Sequence, residues 1–296
     1  MLASSSGGAA PTIAVITGAS RGLGLAVARR TAEMLHDGGH DARVILTARG
    51  AGAAASAADV LRSEGVHVES YSAPLDVSDA RSVSAFNDYT ASDLGGIDLL
   101  INNAAICEPG WEADVVQRTL RTNVLGPLAM ARVALPGMLR RGRGHVLHVS
   151  SGDGELVYLH PELQGELRAA QSAWAVLRTL ARAAPPRDAF GAAPAHGPTP
   201  AYSLSKAALN ALTRIAAAEL AHERGEACGV RVSAVCPGDV LTRMCVDEHA
   251  RQLAVAPSEA AVDVAWLAVE GLRAHEHHHH ALPSGRFWRA REEISF

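Results

Sequence analysis

Short runs of consecutive apolar, often β-branched residues alternate along the chain with longer segments whose apolar residues recur every three or four positions. The first pattern predicts strands buried on both faces, and the second predicts helices with one buried stripe. Strands are expected over residues 13–17, 43–48, 67–72, 97–102, 145–150 and 231–235, and helices over 22–35, 53–64, 79–94, 113–140, 202–224 and 258–274. Alternation of this kind from end to end predicts an α/β fold, a doubly wound parallel sheet with helices on both faces. No internal repeat interrupts it.

One stretch breaks the rhythm. The interval from Ser151 to Tyr202 is too long for an ordinary strand-to-helix loop. Within it Leu163, Leu167, Ala170, Trp174, Leu177 and Ala181 form one apolar stripe at helical spacing, which Pro185-Pro186 ends, and residues 191–200 read as a returning loop. Residues 152–199 are thus expected to be a helical insertion within a single domain spanning 1–296, with 1–11 flexible. The stripe is read as packing on its own domain rather than as a face for a partner.

Composition narrows the function classes. A chain of 296 residues that is 48% hydrophobic can bury a large core, and its net charge of -4 offers no general field for nucleic acid or anionic membrane. No apolar run approaches the roughly 20 residues of a membrane span, and the N-terminus does not read as a targeting peptide, so a cytoplasmic protein is expected. Cys107, Cys228, Cys236 and Cys245 lack paired spacing and read as reduced thiols. The run of His275 with His277 to His280 precedes a turn signal and reads as a polar loop, so no metal site is assigned.

The candidate chemistry begins with Tyr202 and Lys206, four apart in a predicted helix and therefore on one face. A charge separation of roughly 5 Å at an effective dielectric of about 20 favours the phenolate by about 3 kcal/mol, or roughly two pKa units. At the other end of the chain, Thr17-Gly18-Ala19-Ser20-Arg21-Gly22-Leu23-Gly24 lies between the first strand and the first helix. Glycines there permit positive φ and close approach of a pyrophosphate, while the helix N-terminus supplies free N–H groups, which predicts dinucleotide binding. The second strand ends in Leu46-Thr47-Ala48-Arg49 with no carboxylate for a ribose 2′-hydroxyl. Arg49 and Arg21 instead suit a 2′-phosphate, so NADP(H) is the expected cofactor.

Taken together these residues resemble the short-chain dehydrogenase/reductase family, from Ile13 to about Trp288. The resemblance implies a Rossmann-type fold. It matches the family's glycine turn with Gly18, Gly22 and Gly24, its adenine-binding acid with Asp76, and its Asn-Asn-Ala-Gly segment with Asn102-Asn103-Ala104-Ala105, where Ala105 departs from the usual glycine. Asn123 matches the helix asparagine of the proton relay, Ser151 the catalytic serine with Ser150 as the competing assignment, and Tyr202 with Lys206 the Tyr-x-x-x-Lys pair. Pro237, Gly238, Val240 and Thr242 match the segment at the nicotinamide end.

The long insertion, the Leu-Thr-Ala-Arg strand end and Cys236-Pro237-Gly238 are similar to a subgroup of monomeric NADPH-dependent carbonyl reductases. That similarity implies a monomer that reduces a small-molecule ketone, aldehyde or quinone. Tyr202 would act as general acid with its pKa lowered by Lys206, and Ser151 would hydrogen-bond the carbonyl oxygen. A steroid or terpenoid substrate stays open, as does a catalytically silent NADP-binding scaffold. Cys107 and Cys236 fall near the expected site as small packing residues or oxidisable thiols.

Overall fold

The computed structural model of the chain describes residues 10–184, 195, 197–225, 228–244, 248–273 and 282–295. The histidine run at 275–280, Cys245, Pro185-Pro186 and half of the expected loop at 191–200 lie outside the described residues.

Eight strands form one sheet: β1 (Thr12–Ile16), β2 (Ala42–Leu46), β3 (Glu69–Ser70), β4 (Leu99–Asn102), β5 (Gly144–Val149), β6 (Val230–Cys236), β7 (Phe287–Arg289) and β8 (Glu292–Ile294). Their spatial order is β3-β2-β1-β4-β5-β6-β7-β8, all parallel except the last, antiparallel pair. The helices are α1 (Gly22–Asp37), α2 (Ala53–Ser63), α3 (Ala80–Tyr89), α4 (Ala113–Leu120), α5 (Gly126–Arg141), α6 (Pro161–Ala169), α7 (Ala173–Ala183), α8 (Pro200–Arg224), α9 (Glu248–Leu253) and α10 (Pro257–Arg273). This is the expected Rossmann-type, doubly wound sheet.

The continuous apolar runs arise because each strand feeds two cores. Ala14, Ile16, Leu46, Leu99, Ile101, Leu147 and Val149 pack with Val27, Leu35, Leu61, Val264 and Leu267 of α1, α2 and α10. The alternate residues Ile13, Val15, Ile45, Leu100 and Val146 face Val83, Phe86, Met130, Ala134 and Met138 of α3 and α5. A period of two across a sheet covered on both sides makes every position apolar.

Polar groups inside this sandwich are tied down. Asp98, only 3% exposed, accepts the Ile13 N–H at 2.9 Å and the Arg141 Nε–H at 3.1 Å, which joins β1, the start of β4 and the end of α5. Two histidines of β5 stay neutral: burial pushes His145 down to about 4 and His148 down to about 3, the latter helped by the Lys206 charge. Asn102 Nδ2 lies 3.2 Å from His148 Nδ1 and can donate to the neutral ring.

Three expectations about elements change. The helix expected over 113–140 is α4 and α5 joined by a π turn, Arg121–Leu125, and the one over 79–94 likewise ends in a π turn, Thr90–Leu94. The insertion stripe is broken: α6 and α7 are separated at Ala170-Gln171, and Trp174 is 73% exposed instead of buried in the stripe. Leu163, Leu167, Val176 and Leu180 still pack against Leu204, Ala208, Ala211 and Ile215 of α8. Finally, β7 and β8 extend the sheet beyond β6, where no strand was expected.

Candidate active site

The sheet order reverses between β1 and β4, and chain segments leaving the two strands part there to open a crevice. The crevice is locked at its base. Thr17 Oγ1 accepts the N–H groups of Asn103 and Ala104, each at 3.0 Å. Asn103 Nδ2 donates in return to Thr17 O at 2.9 Å and to Gly18 O at 3.2 Å. Asn103 therefore shapes the glycine turn from the neighbouring strand.

The turn itself needs its glycines for separate reasons. Gly18 and Gly22 have φ of 66° and 55°, which other residues adopt with strain. Gly24 has no room: an added Cβ would lie 2.4 Å from both Asn103 Nδ2 and Gly18 O. Ser20, Arg21 and Leu23 complete the loop and the first turn of α1, whose leading N–H groups lack helical partners. Arg21 and Arg49 are both exposed where the chain leaves β1 and β2. Asp76 follows β3 and uses Oδ1 to accept the Ser78 N–H at 2.9 Å and hydroxyl at 2.6 Å. Beyond β6, Pro237, Gly238 and Val240 lead to Thr242, whose Cγ2 would be 3.4 Å from a Cβ at Gly22. The last segment thus folds back over the glycine turn.

The reactive side chains meet beside the end of β5. Lys206 of α8 donates from Nζ to Val149 O at 2.7 Å, although the residue is only 3% exposed. Its ammonium sits 5.4 Å from the centroid of the Tyr202 ring. Ser151, two residues beyond Val149, is placed to hydrogen-bond the Tyr202 hydroxyl and draw its pKa down. The competing Ser150 is 2% exposed, and its Oγ finds no partner among the described residues. Of the two serines, Ser151 is the one beside the Tyr202 hydroxyl.

Asn123 occupies the π turn. Its Oδ1 accepts the Ile106 N–H at 2.9 Å, while its Nδ2 donates to Ile106 O at 2.8 Å and to Ser205 Oγ at 3.0 Å. The side chain is a clamp between α8 and the segment after β4.

The electrostatics correct one expectation. Tyr202 is not drawn toward neutrality by Lys206; burial raises its pKa well above the ordinary phenol value, with the Cys107 charge adding to the rise and Ser151 opposing it. The physical reason is that the ammonium lies over the ring face, so loss of hydration outweighs attraction to the oxygen. Burial also pulls Lys206 down to about 8, and it pushes Cys107 up to about 11.

Two groups near the site carried no signal in the sequence. Arg289 of β7 donates to Glu155 Oε1 at 2.7 Å and is paired in the sheet with Cys236. Asp153 lies two residues after Ser151 in a 3₁₀ turn, Gly152–Gly154. Cys236 itself is 5% exposed at the end of β6.

Lys206 is the only lysine in the chain. Incorporation of lysine labelled with carbon-13 at Cε should therefore give a single side-chain NMR signal. Its midpoint should lie near pH 8, the proton leaving as pH rises through that value, and a midpoint at the ordinary lysine value near 10.5 would contradict the burial assigned here.

Comparisons with known proteins identify relatives of the whole fold. A family model described as short chain dehydrogenase matches residues 12–161 and 193–253. Carbonyl reductase [NADPH] 1 of Pongo abelii is 29% identical over 264 residues, covering 87% of this chain and 90% of its own. Carbonyl reductase [NADPH] 3 of Mus musculus is 30% identical over 246 residues, covering 81% of this chain and 85% of its own. Among solved structures, a metagenomic short-chain oxidoreductase in complex with NADP superposes with a TM-score of 0.63 at 25% identity, covering 95% of this chain and 97% of that one. Salutaridine reductase from Papaver somniferum shares the fold, with a TM-score of 0.71 at 22% identity, covering 94% of this chain and 99% of that one. With its family model spanning most of the sheet and the reactive groups gathered at the end of β5, this chain belongs to the short chain dehydrogenase family.

Proposed function

We propose that the chain is an NADP(H)-dependent oxidoreductase acting on CH–OH and C=O groups, and that it reduces a ketone, aldehyde or quinone to an alcohol. The observation that carries this reading is the cluster of half-buried Ser151 with buried Tyr202 and Lys206 at the end of β5, with Lys206 pinned to Val149 O. Two relatives titled carbonyl reductase [NADPH] support the substrate class and the cofactor.

The residues at the crevice fit the cofactor. Gly18 and Gly22 keep side chains off the turn, the first N–H groups of α1 suit a pyrophosphate, and Arg21 with Arg49 offers guanidinium groups to a 2′-phosphate. When bound, NADPH supplies the hydride that reduces the carbonyl carbon.

The chain's own groups manage the oxygen. Ser151 donates a hydrogen bond to it, and Tyr202 gives up its phenolic proton as negative charge develops. The raised pKa keeps Tyr202 in the protonated form, the form that can donate to the oxygen. Lys206 then stabilises the phenolate, a charge that burial would otherwise penalise. The Asn123 amide is bonded to Ile106 and Ser205, which ties the π turn to α8 beside Tyr202.

The same reading covers the assembly. The packing of α6 and α7 on α8 covers a helix face that would otherwise be available to a second copy, which supports a monomer built as one domain with an inserted helical pair. The free thiols Cys107, Cys228 and Cys236 suit the reducing cytoplasm. Among the described residues no helix is long and apolar enough to cross a membrane.

Two substitutions test the assignment. Tyr202→Phe should lower kcat by about 10² to 10⁴-fold while leaving NADPH affinity nearly unchanged, and retained turnover would remove Tyr202 as the acid. Arg49→Asp should weaken NADPH binding by about tenfold or more and NADH binding far less; equal losses in a titration of both would contradict the 2′-phosphate contact.

A further inference from the structure

The segment that carries the serine hydroxyl has little stiffness of its own. Ser151 leads into Gly152-Asp153-Gly154, and glycine is the residue with the most backbone freedom to lose. Neither of these glycines adopts a positive φ, so the backbone conformation does not call for them. What calls for them is the pressure of neighbouring groups on the turn.

One support is α8. A Cβ at Gly154 would come within 2.9 Å of Lys206 Cβ, and Asn210 Nδ2, one helical turn beyond Lys206, donates to Gly154 O at 3.3 Å. The second support comes from β7, two strands away in the sheet. A Cβ at Gly152 would lie 2.5 Å from Arg289 Nη2, so the guanidinium packs against the Gly152 backbone. The same nitrogen donates to Glu155 Oε1 at 2.7 Å, and Glu155 closes the turn by donating its N–H to Gly152 O at 2.9 Å. Arg289 therefore touches the first residue of the turn and holds the residue that ends it.

The turn sets the direction of the hydroxyl. Ser151, extended in backbone, is its N-cap, and Ser151 Oγ accepts the Asp153 N–H at 3.2 Å. That bond uses a lone pair of the oxygen and leaves the hydroxyl proton free to be donated. A displacement of Gly152 or Asp153 would carry the hydroxyl with it.

The ion pair adds little to folding. The Arg289 and Glu155 side chains are 42% and 32% exposed, and solvent weakens a pair that it can reach. What such a pair can still do is fix a position, because β7 is bonded into the sheet with Arg289 in register with Cys236 of β6.

We propose that Arg289, through Gly152 and Glu155, is a positioning residue that aims the Ser151 hydroxyl at the reacting carbonyl oxygen. The proposal rests on the carbonyl-reducing reading of the site. A hydrogen bond that strengthens as charge grows on that oxygen acts on kcat more than on KM.

The test compares the full chain with Arg289→Met, which keeps most of the side-chain stem and removes the guanidinium, using NADPH and a carbonyl compound that the unaltered protein reduces. Turnover, kcat, should fall about tenfold while KM for both substrates stays within about twofold and the melting temperature barely moves. Glu155→Gln breaks the same pair from its other end, should give a loss of the same kind, and stands in if Arg289→Met does not fold. The decisive variant adds Ser151→Ala. If Arg289 acts through the serine, Arg289→Met lowers kcat no further in that background. A second tenfold loss there, or an unchanged kcat in both single variants, overturns the proposal.

Hydrogen exchange without substrate separates this inference from the reading beneath it. The N–H groups of Asp153, Gly154 and Glu155 are all bonded within the turn, and in Arg289→Met they should exchange about tenfold faster while those of α8 keep their rates. If the unaltered protein reduces no carbonyl and these groups still exchange faster in the variant, carbonyl reduction falls and the clamp on Ser151 stands. Unchanged exchange in the turn overturns the clamp whatever the turnover.

Discussion

The hydrogen bond from Lys206 Nζ to Val149 O, 2.7 Å long, is the constraint on which the rest of the site depends. It fastens α8 to the end of β5, and from that one anchor Tyr202 lies a helical turn away and Ser151 two residues along the strand exit. The anchor is also the one lysine of the chain: of 27 positions that carry Lys or Arg, 206 alone carries Lys. A compact ammonium can enter a fully buried position and release its proton near neutrality, whereas a guanidinium is larger and stays charged. The chain uses arginine at surface ion pairs such as Arg43 with Glu69 and Arg118 with Glu108 and Asp114, where a planar fork serves well.

The sheet delivers everything else to that anchor. Strands β1, β4, β5 and β6 all end on the same side, and the mutual clamp of Thr17 and Asn103 ties the glycine turn to the exit of β4. The contact of Thr242 with the glycine turn ties the exit of β6 to the same turn. The glycine turn and Tyr202 are therefore parts of one edge of the sheet. Asp98 performs the corresponding task at the opposite end of the strands.

Much of this was legible because the signals are local. Six strands could be read because burial on both faces leaves them continuously apolar, and the glycine turn and the Tyr202–Lys206 spacing are contained within eight and five residues. The misses have physical causes. Phe287–Arg289 is too short to show a period, and it becomes a strand only because β6 offers an edge beside it. The stripe from Leu163 to Ala181 is continuous in sequence, yet the chain bends at Ala170-Gln171, whose carbonyl at Ala170 is taken by Arg214 at 2.7 Å. The Tyr202 shift was misjudged because spacing reports the distance between charges and says nothing of the water lost around them. Arg289 and Glu155 are 134 residues apart, and no spacing rule joins them.

The central claim is that this edge transfers a hydride to a carbonyl and a proton from Tyr202. The most direct measurement is the loss of NADPH absorbance on addition of the protein to a panel of quinones, aldehydes and ketones. The account predicts that absorbance falls with at least one of these carbonyl classes and that the corresponding alcohol appears in equal amount. Tight NADPH binding with no turnover of any compound would contradict it and leave a cofactor-binding scaffold in its place.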